Sequence, residues 1–270
     1  MSGLSLRLNK FLKPHKKALV IGAVDHVAEY GDQPGLENME KAITNCLTTD
    51  ALLMSQFTLK RFGKLFQVAD APELVVRINW SSSFYYPLNY REGHTAIITT
   101  VEEAVRAGAS AVICSLFLEE KENNEMEMRN VQIFSEVVRQ KEKLGIPLIG
   151  ECYVVEHTEK TPEQVHLKVK RVSRIMAELG ADMIKTFFTG TQFHEVVENT
   201  PVPVFTIGAE KLNTDFDVLK KARDSVDQGA RGIVFGRNIF MAKNPIKLVK
   251  ALNEVMNNNA DPRRTADSIV

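Results

Sequence analysis

Lys185 lies in the run Gly180-Ala181-Asp182-Met183-Ile184-Lys185-Thr186, which reads as a buried parallel strand. An ammonium held in an apolar barrel loses hydration, so its pKa falls and a neutral amine becomes available to attack a carbonyl carbon. The chemistry expected is imine formation. A plainer role is a lysine paired with a buried carboxylate such as Glu151. Strand alternation puts Lys185 and Phe187 on one face, with Ile184 and Thr186 on the other.

Other polar groups end apolar runs in the same way. Asp25 closes Val20-Ile21-Gly22-Ala23-Val24 and could act as general acid or base, or hold substrate hydroxyls. His26 follows it and points the other way in a regular strand; a hydrogen-bonding structural role is its first reading, a catalytic one its second. Tyr153 offers a phenolic proton to a carbinolamine or a substrate carbon, or else is a rim aromatic. Glu151 shares its face, and its role stays open. Two glycine turns, Thr206-Ile207-Gly208-Ala209 and Phe235-Gly236-Arg237-Asn238, offer backbone amides to an anion, with Arg237 adding a charged fork.

Short apolar runs that could carry these groups occur at Ala18–Val24, Ala51–Met54, Glu73–Asn79, Ala111–Leu116, Pro147–Cys152, Met183–Phe188, Val202–Ile207 and Gly232–Phe235. Between them lie amphipathic stretches near Leu36–Leu47, Thr58–Phe66, Val101–Ala107, Met126–Leu144, Thr161–Leu179, Phe193–Asn199, Thr214–Gln228 and Pro245–Asn257. Thr161-Pro162-Glu163 predicts a capped helix start. Gly108, Gly180 and Gly229 each predict a helix end before tight entry into a strand. Eight such units predict a closed α/β barrel, a single (β/α)8 TIM barrel over 1–270, with an N-terminal extension (1–17) and a C-terminal tail (258–270).

In that fold the chemistry gathers at the carboxyl ends of the strands. The address collects Asp25, His26, Arg77, Asn79, Glu151, Tyr153, Lys185, Gly208 and the Gly236-Arg237-Asn238 turn. Loops after the seventh and eighth strands commonly hold phosphate, which strengthens the anion reading of Gly208, Ala209, Gly236 and Arg237.

Composition narrows the partners. The 270 residues are 44% hydrophobic, and 34 basic side chains balance 34 acidic ones, so no global field favours nucleic acid or an anionic membrane. Cys46, Cys114 and Cys152 are widely spaced in apolar segments, which predicts reduced thiols and a cytoplasmic protein. No secretory leader or membrane-length apolar run is expected. The acidic tract Glu119–Glu125 lacks ligand spacing and reads as a solvated loop and helix entry, not a metal site. Ser81-Ser82-Ser83 with Tyr85-Tyr86-Pro87 could line a sugar-binding rim, or simply turn the chain.

The ordered set Asp25-His26, Gly180–Thr186, Pro201-Val202-Pro203-Val204 and Gly236-Arg237-Asn238-Ile239-Phe240 resembles the archaeal-type class I fructose-bisphosphate aldolases of the deoxyribose-phosphate aldolase superfamily. Within that group the chain looks closest to the phospho-autoinducer-2 thiolase branch. The resemblance covers Ala18 to Asn257. It implies that Lys185 is the Schiff-base lysine, Asp25 and Tyr153 the acid and phenol of the site, and Gly208, Gly236 and Arg237 the phosphate-binding positions. It further implies a small phosphorylated ketose or diketone as substrate, no cofactor or metal, and a homo-oligomer, pentamer or decamer. Coenzyme A enters as co-substrate only under a thiolase-like alternative; a lower alternative is a non-catalytic sugar-phosphate-binding barrel. Relatives usually have glycine where this chain has Val27, and a second glycine where it has Ala209. Alanine resists positive φ and its methyl narrows the approach to an anion, so the two changes bear on the substrate more than on the imine.

Overall fold

The computed structural model describes residues 2–81, 93–119, 124–155 and 157–269. Its strands are β1 (Leu19–Ala23), β2 (Ala51–Ser55), β3 (Glu73–Arg77), β4 (Asn79–Ser81), β5 (Thr95–Ile97), β6 (Ala111–Leu116), β7 (Leu148–Cys152), β8 (Met183–Thr186), β9 (Val204–Ile207) and β10 (Gly232–Phe235). All but β4 and β5 close into a parallel barrel in the order β1-β10-β9-β8-β7-β6-β3-β2. The expected (β/α)8 architecture is therefore the observed one.

Period-two alternation sorts each strand between two cores. Leu19, Ile21, Ala23, Ala51, Leu53, Val75, Ile113, Ile149, Met183, Phe205 and Val234 fill the barrel interior. Their neighbours Val20, Leu52, Val76, Val112, Leu148, Ile184, Val204 and Ile233 face the helical layer. One step of two residues beyond the interior set lie Asp25, Arg77, Ser115, Glu151 and Lys185. The same parity that packs the core thus aims these side chains into the carboxyl mouth.

Helix ends follow the local signals. Thr161 and Gln164 form a reciprocal capping box with Pro162 in the first turn of Pro162–Glu178. Gly108, Gly180 and Gly229 take φ of 100°, 111° and 92°, where a side chain would be strained.

One feature departs from the sequence reading, and both terminal segments carry a helix. The third run, expected as one strand over Glu73–Asn79, breaks at Ile78, whose carbonyl accepts from Ile98 and Thr99 at 2.9 and 3.2 Å. The chain then leaves the barrel as an antiparallel pair, β4 with β5. Within residues 1–17, helix Gly3–Leu12 inserts Phe11 into the barrel interior, and Lys13 and Lys16 pair with Asp50 at 3.0 and 2.5 Å. In the tail, helix Pro262–Asp267 stacks Arg263 over the Phe216 ring at 4.0 Å.

Candidate active site

Parallel register sets Ser115, Glu151 and Lys185 side by side on β6, β7 and β8. Lys185 Nζ donates to Glu151 Oε1, and Ser115 Oγ donates to Glu151 Oε2. Arg77 reaches across from β3: Nη1 lies 2.8 Å from Glu151 Oε2 and 3.0 Å from Ser115 Oγ, while Nε donates to Asp25 Oδ2 at 2.5 Å. Glu29 Oε1 faces the same Nε at 3.5 Å. Asn79 locks the frame by accepting from the Ser115 amide at 3.0 Å and donating to Thr95 Oγ1 at 2.7 Å.

This corrects the apolar surroundings from which a lowered lysine pKa was expected. Lys185 is buried, but beside an anion, so the plainer pairing with Glu151 is present at the same address. Burial penalises the Glu151 carboxylate, yet Arg77 and Lys185 outweigh that cost and hold its carboxyl far below the usual range. Asp25 is likewise penalised by burial and still held low, by Arg77 first and with Lys185 adding to it. Glu29 goes the other way: burial pushes its carboxyl up to about 8, with Asp25 and Glu151 adding to the rise.

Tyr153 borders the same cavity, its ring edge-on to Phe187 at 5.0 Å between centroids. Phe187 in turn meets the His157 ring at 4.7 Å, and His157 lies 3.5 Å from Glu210 of the loop after β9. The hydrogen bond from His157 holds Glu210 down at about 2. Aromatic packing thus ties the wall carrying Tyr153 to the far loop.

His26 does not follow the regular strand. It begins the turn Val27–Tyr30 with its ring against Tyr30 and Phe240, and burial lowers its pKa to about 4, leaving it neutral at pH 7. Nδ1 lies 3.6 Å from Asp25 Oδ1. A Cβ on Gly236 would stand 2.3 Å from His26 Cε1 and 2.9 Å from the Ala23 carbonyl, so glycine is what lets the ring lie over this turn. Gly236→Ala is expected to cost about 1–3 kcal/mol and to displace His26, measurable as a lower thermal midpoint.

On the opposite wall, Asn238 is fully buried and braces the loop after β9. It donates to the Glu210 and Gly208 carbonyls at 3.0 and 3.3 Å and accepts from the Leu212 amide at 2.8 Å. Gly208 has no room for a side chain, since a Cβ would meet Asn238 Nδ2 at 2.8 Å, and its amide faces the Val234 carbonyl at 3.4 Å. Ala209 adopts φ 56°, the conformation it was expected to resist. Because this φ strains a side chain, Ala209→Gly should leave thermal stability unchanged or raise it by up to about 1 kcal/mol, unlike an ordinary Ala→Gly change. Arg237 lines the cavity with a buried Nε that has no hydrogen-bond partner.

Asp25, His26, Tyr153, Lys185, Gly208, Ala209, Gly236 and Arg237 therefore all border one cavity. Ser115 and Glu29 were missed. A polar residue in phase with Ile113 was the available signal for Ser115; Glu29 lies beyond the strand, where parity gives no signal. Of the expected sugar-binding rim, residues 82–92 lie outside the described residues, and Ser81 Oγ donates to the His94 carbonyl at 2.7 Å. In the acidic tract, Glu119 pairs with Arg171 at 2.8 Å and a helix begins at Asn124, while 120–123 lie outside the described residues. Among the described residues, no group of three or more His, Cys, Asp or Glu is placed to hold a metal ion, and no helix is long and apolar enough to cross a membrane. Cys46, Cys114 and Cys152 are buried thiols.

A closed parallel barrel with a polar cluster gathered at its carboxyl mouth has the fold of the class I, Schiff-base aldolases. Comparison with known proteins gives the family: residues 19–242 match the model of the DeoC/LacD family aldolases, and the chain belongs to that family. It is 33% identical over 267 residues to an uncharacterized aldolase of Saccharolobus solfataricus, covering 97% of each chain. It is 27% identical to the 3-hydroxy-5-phosphonooxypentane-2,4-dione thiolase of Klebsiella pneumoniae, covering 97% of this chain and 83% of that one. Among solved structures, a Schiff-base-forming fructose-1,6-bisphosphate aldolase superposes with a TM-score of 0.76 at 26% identity, over 94% of this chain and 99% of that one.

Proposed function

We propose that this protein is a class I aldolase-type lyase that cleaves or forms a carbon–carbon bond in a small phosphorylated ketose or diketone through an iminium on Lys185. The observation that carries this reading is the juxtaposition, in one cavity, of the buried Lys185 amine and the unpartnered Nε of Arg237. Once Lys185 has given its ammonium proton to solvent, the amine attacks the carbonyl, and loss of water gives an iminium that accepts the electron pair of the breaking bond. Glu151 steers Nζ toward the cavity through its hydrogen bond. Asp25, ionised at neutral pH, takes the proton of the substrate hydroxyl, and the Tyr153 phenol exchanges a proton with the substrate carbon. Arg237 pairs with the phosphate, while Ala209 and Gly236 supply backbone beside it. Gly208 contributes by shape, because its amide already faces Val234.

A second reading, acyl transfer from a phosphorylated diketone to coenzyme A on the same lysine, is favoured by the 27% identity to the thiolase over nearly the whole chain. Incubation with phosphorylated ketoses and diketones, followed by mass analysis of products with and without coenzyme A, separates the two. An aldehyde and a ketone fragment formed without coenzyme A support cleavage; an acyl-coenzyme A product supports transfer. Binding without turnover across the panel would favour the sugar-phosphate-binding barrel. The proposal extends to a cytoplasmic homo-oligomer, pentamer or decamer, working without cofactor or metal; sedimentation tests the assembly.

A further inference from the structure

Asp25 and Glu29 stand against one guanidinium nitrogen, Arg77 Nε, at 2.5 and 3.5 Å. Glu29 is 3% exposed, its Oε1 accepts no hydrogen bond, and its side chain borders the same cavity as Lys185. Groups facing it come from every side: Asp25 from the loop after β1, Arg77 from β3, Glu151 from β7 and Lys185 from β8. Tyr153 and Arg237 complete the wall, and the adjacent His26 is neutral. The nearer carboxylate takes the charge of Arg77, which leaves Glu29 to be governed by burial. At neutral pH one member of the pair is therefore an anion and the other a neutral acid. Two titratable groups driven apart in this way are suited to opposite proton-transfer roles.

We propose that Glu29 is the proton donor that dehydrates the carbinolamine on Lys185. The assignment rests on the imine reading above and adds a residue to it. With the Nζ–carbon bond already formed, the Glu29 O–H bond breaks and its proton passes to the carbinolamine oxygen. The carbon–oxygen bond breaks, its electron pair leaves with the oxygen as water, and the nitrogen lone pair closes the C=N bond. Glu29 is left as a carboxylate beside Arg77, which stabilises it. When the product iminium is hydrolysed, the attacking water returns a proton to Glu29 and the cycle closes.

Rapid-quench trapping tests this step. Enzyme in excess is mixed with dihydroxyacetone phosphate, quenched with borohydride at increasing times from pH 6 to 9.5, and the reduced adduct on Lys185 is quantified by peptide mass. For the wild type, adduct formation should slow as pH rises past about 8, where Glu29 loses its proton. Glu29→Gln should form the adduct on the order of 100-fold more slowly, without that alkaline decline. Glu29→Asp should recover part of the rate together with the decline. A Glu29→Gln protein that keeps the wild-type rate, or keeps the alkaline decline at a lower rate, overturns the donor role while leaving the imine reading intact. A wild type that forms no adduct overturns both.

Discussion

Replacing Lys185 with arginine is expected to lower turnover by about 10^5-fold or more while leaving the fold in place. Arginine keeps the positive charge beside Glu151, but it stays protonated at any working pH and cannot form an iminium. The comparison with Lys185→Met separates charge from chemistry. Methionine removes one hydrogen-bond donor from Glu151 Oε1, yet Oε2 keeps Arg77 at 2.8 Å as well as Ser115. The stability loss should therefore stay at about 1–3 kcal/mol, read by urea denaturation. Both variants should be inactive although their stabilities differ. Residual activity in Lys185→Arg near the wild-type level would mean that the lysine serves only as a counter-ion.

Arg77→Met should produce the largest loss of stability. Arg77 is 3% exposed and faces three buried carboxyls, Asp25, Glu29 and Glu151. Removing one partner of a buried ion pair costs about 3–5 kcal/mol, because the partner charge is left uncompensated. The sign with pH follows from the carboxyls. In the wild type, Asp25 and Glu151 are held below their ordinary values of 3.8 and 4.5, so they contribute stability above those values and lose it as pH falls through their folded values. Without Arg77 the same groups are buried with less compensation, and they destabilise the variant increasingly as pH rises. The gap between wild type and variant should accordingly be wider at pH 7.5 than at pH 4.5 in denaturant titrations. A gap independent of pH would assign the loss to packing instead of charge.

The barrel was legible because its signals are local and repeated. Runs of four to seven apolar residues alternating with amphipathic stretches need no knowledge of contacts, and Gly108, Gly180 and Gly229 mark the helix ends by their own backbone requirement. The site was legible to the extent that strand parity reaches: Lys185, Glu151 and Asp25 are each two residues beyond an interior apolar position. Tertiary contact decided the rest. Nothing near Lys185 in the chain shows that Arg77, 108 positions earlier, and Ser115 share the Glu151 anion with it, so the pairing with Glu151 was legible and the wider cluster was not. Glu29 carried no signal, because its burial in the short helix Val27–Tyr30 beside the cavity is set by tertiary contact. Ile78 kept its apolar character while its carbonyl turned to the β4–β5 hairpin, a change of hydrogen-bond direction that periodicity does not carry.

The most direct measurement is peptide mapping of the full-length protein after borohydride reduction in the presence of dihydroxyacetone phosphate and other phosphorylated ketones. The expected result is a single reduced adduct on the peptide carrying Lys185, absent from Lys185→Arg. Turnover of such a substrate with no adduct on Lys185, or with the adduct on a different lysine, would contradict imine chemistry at this site.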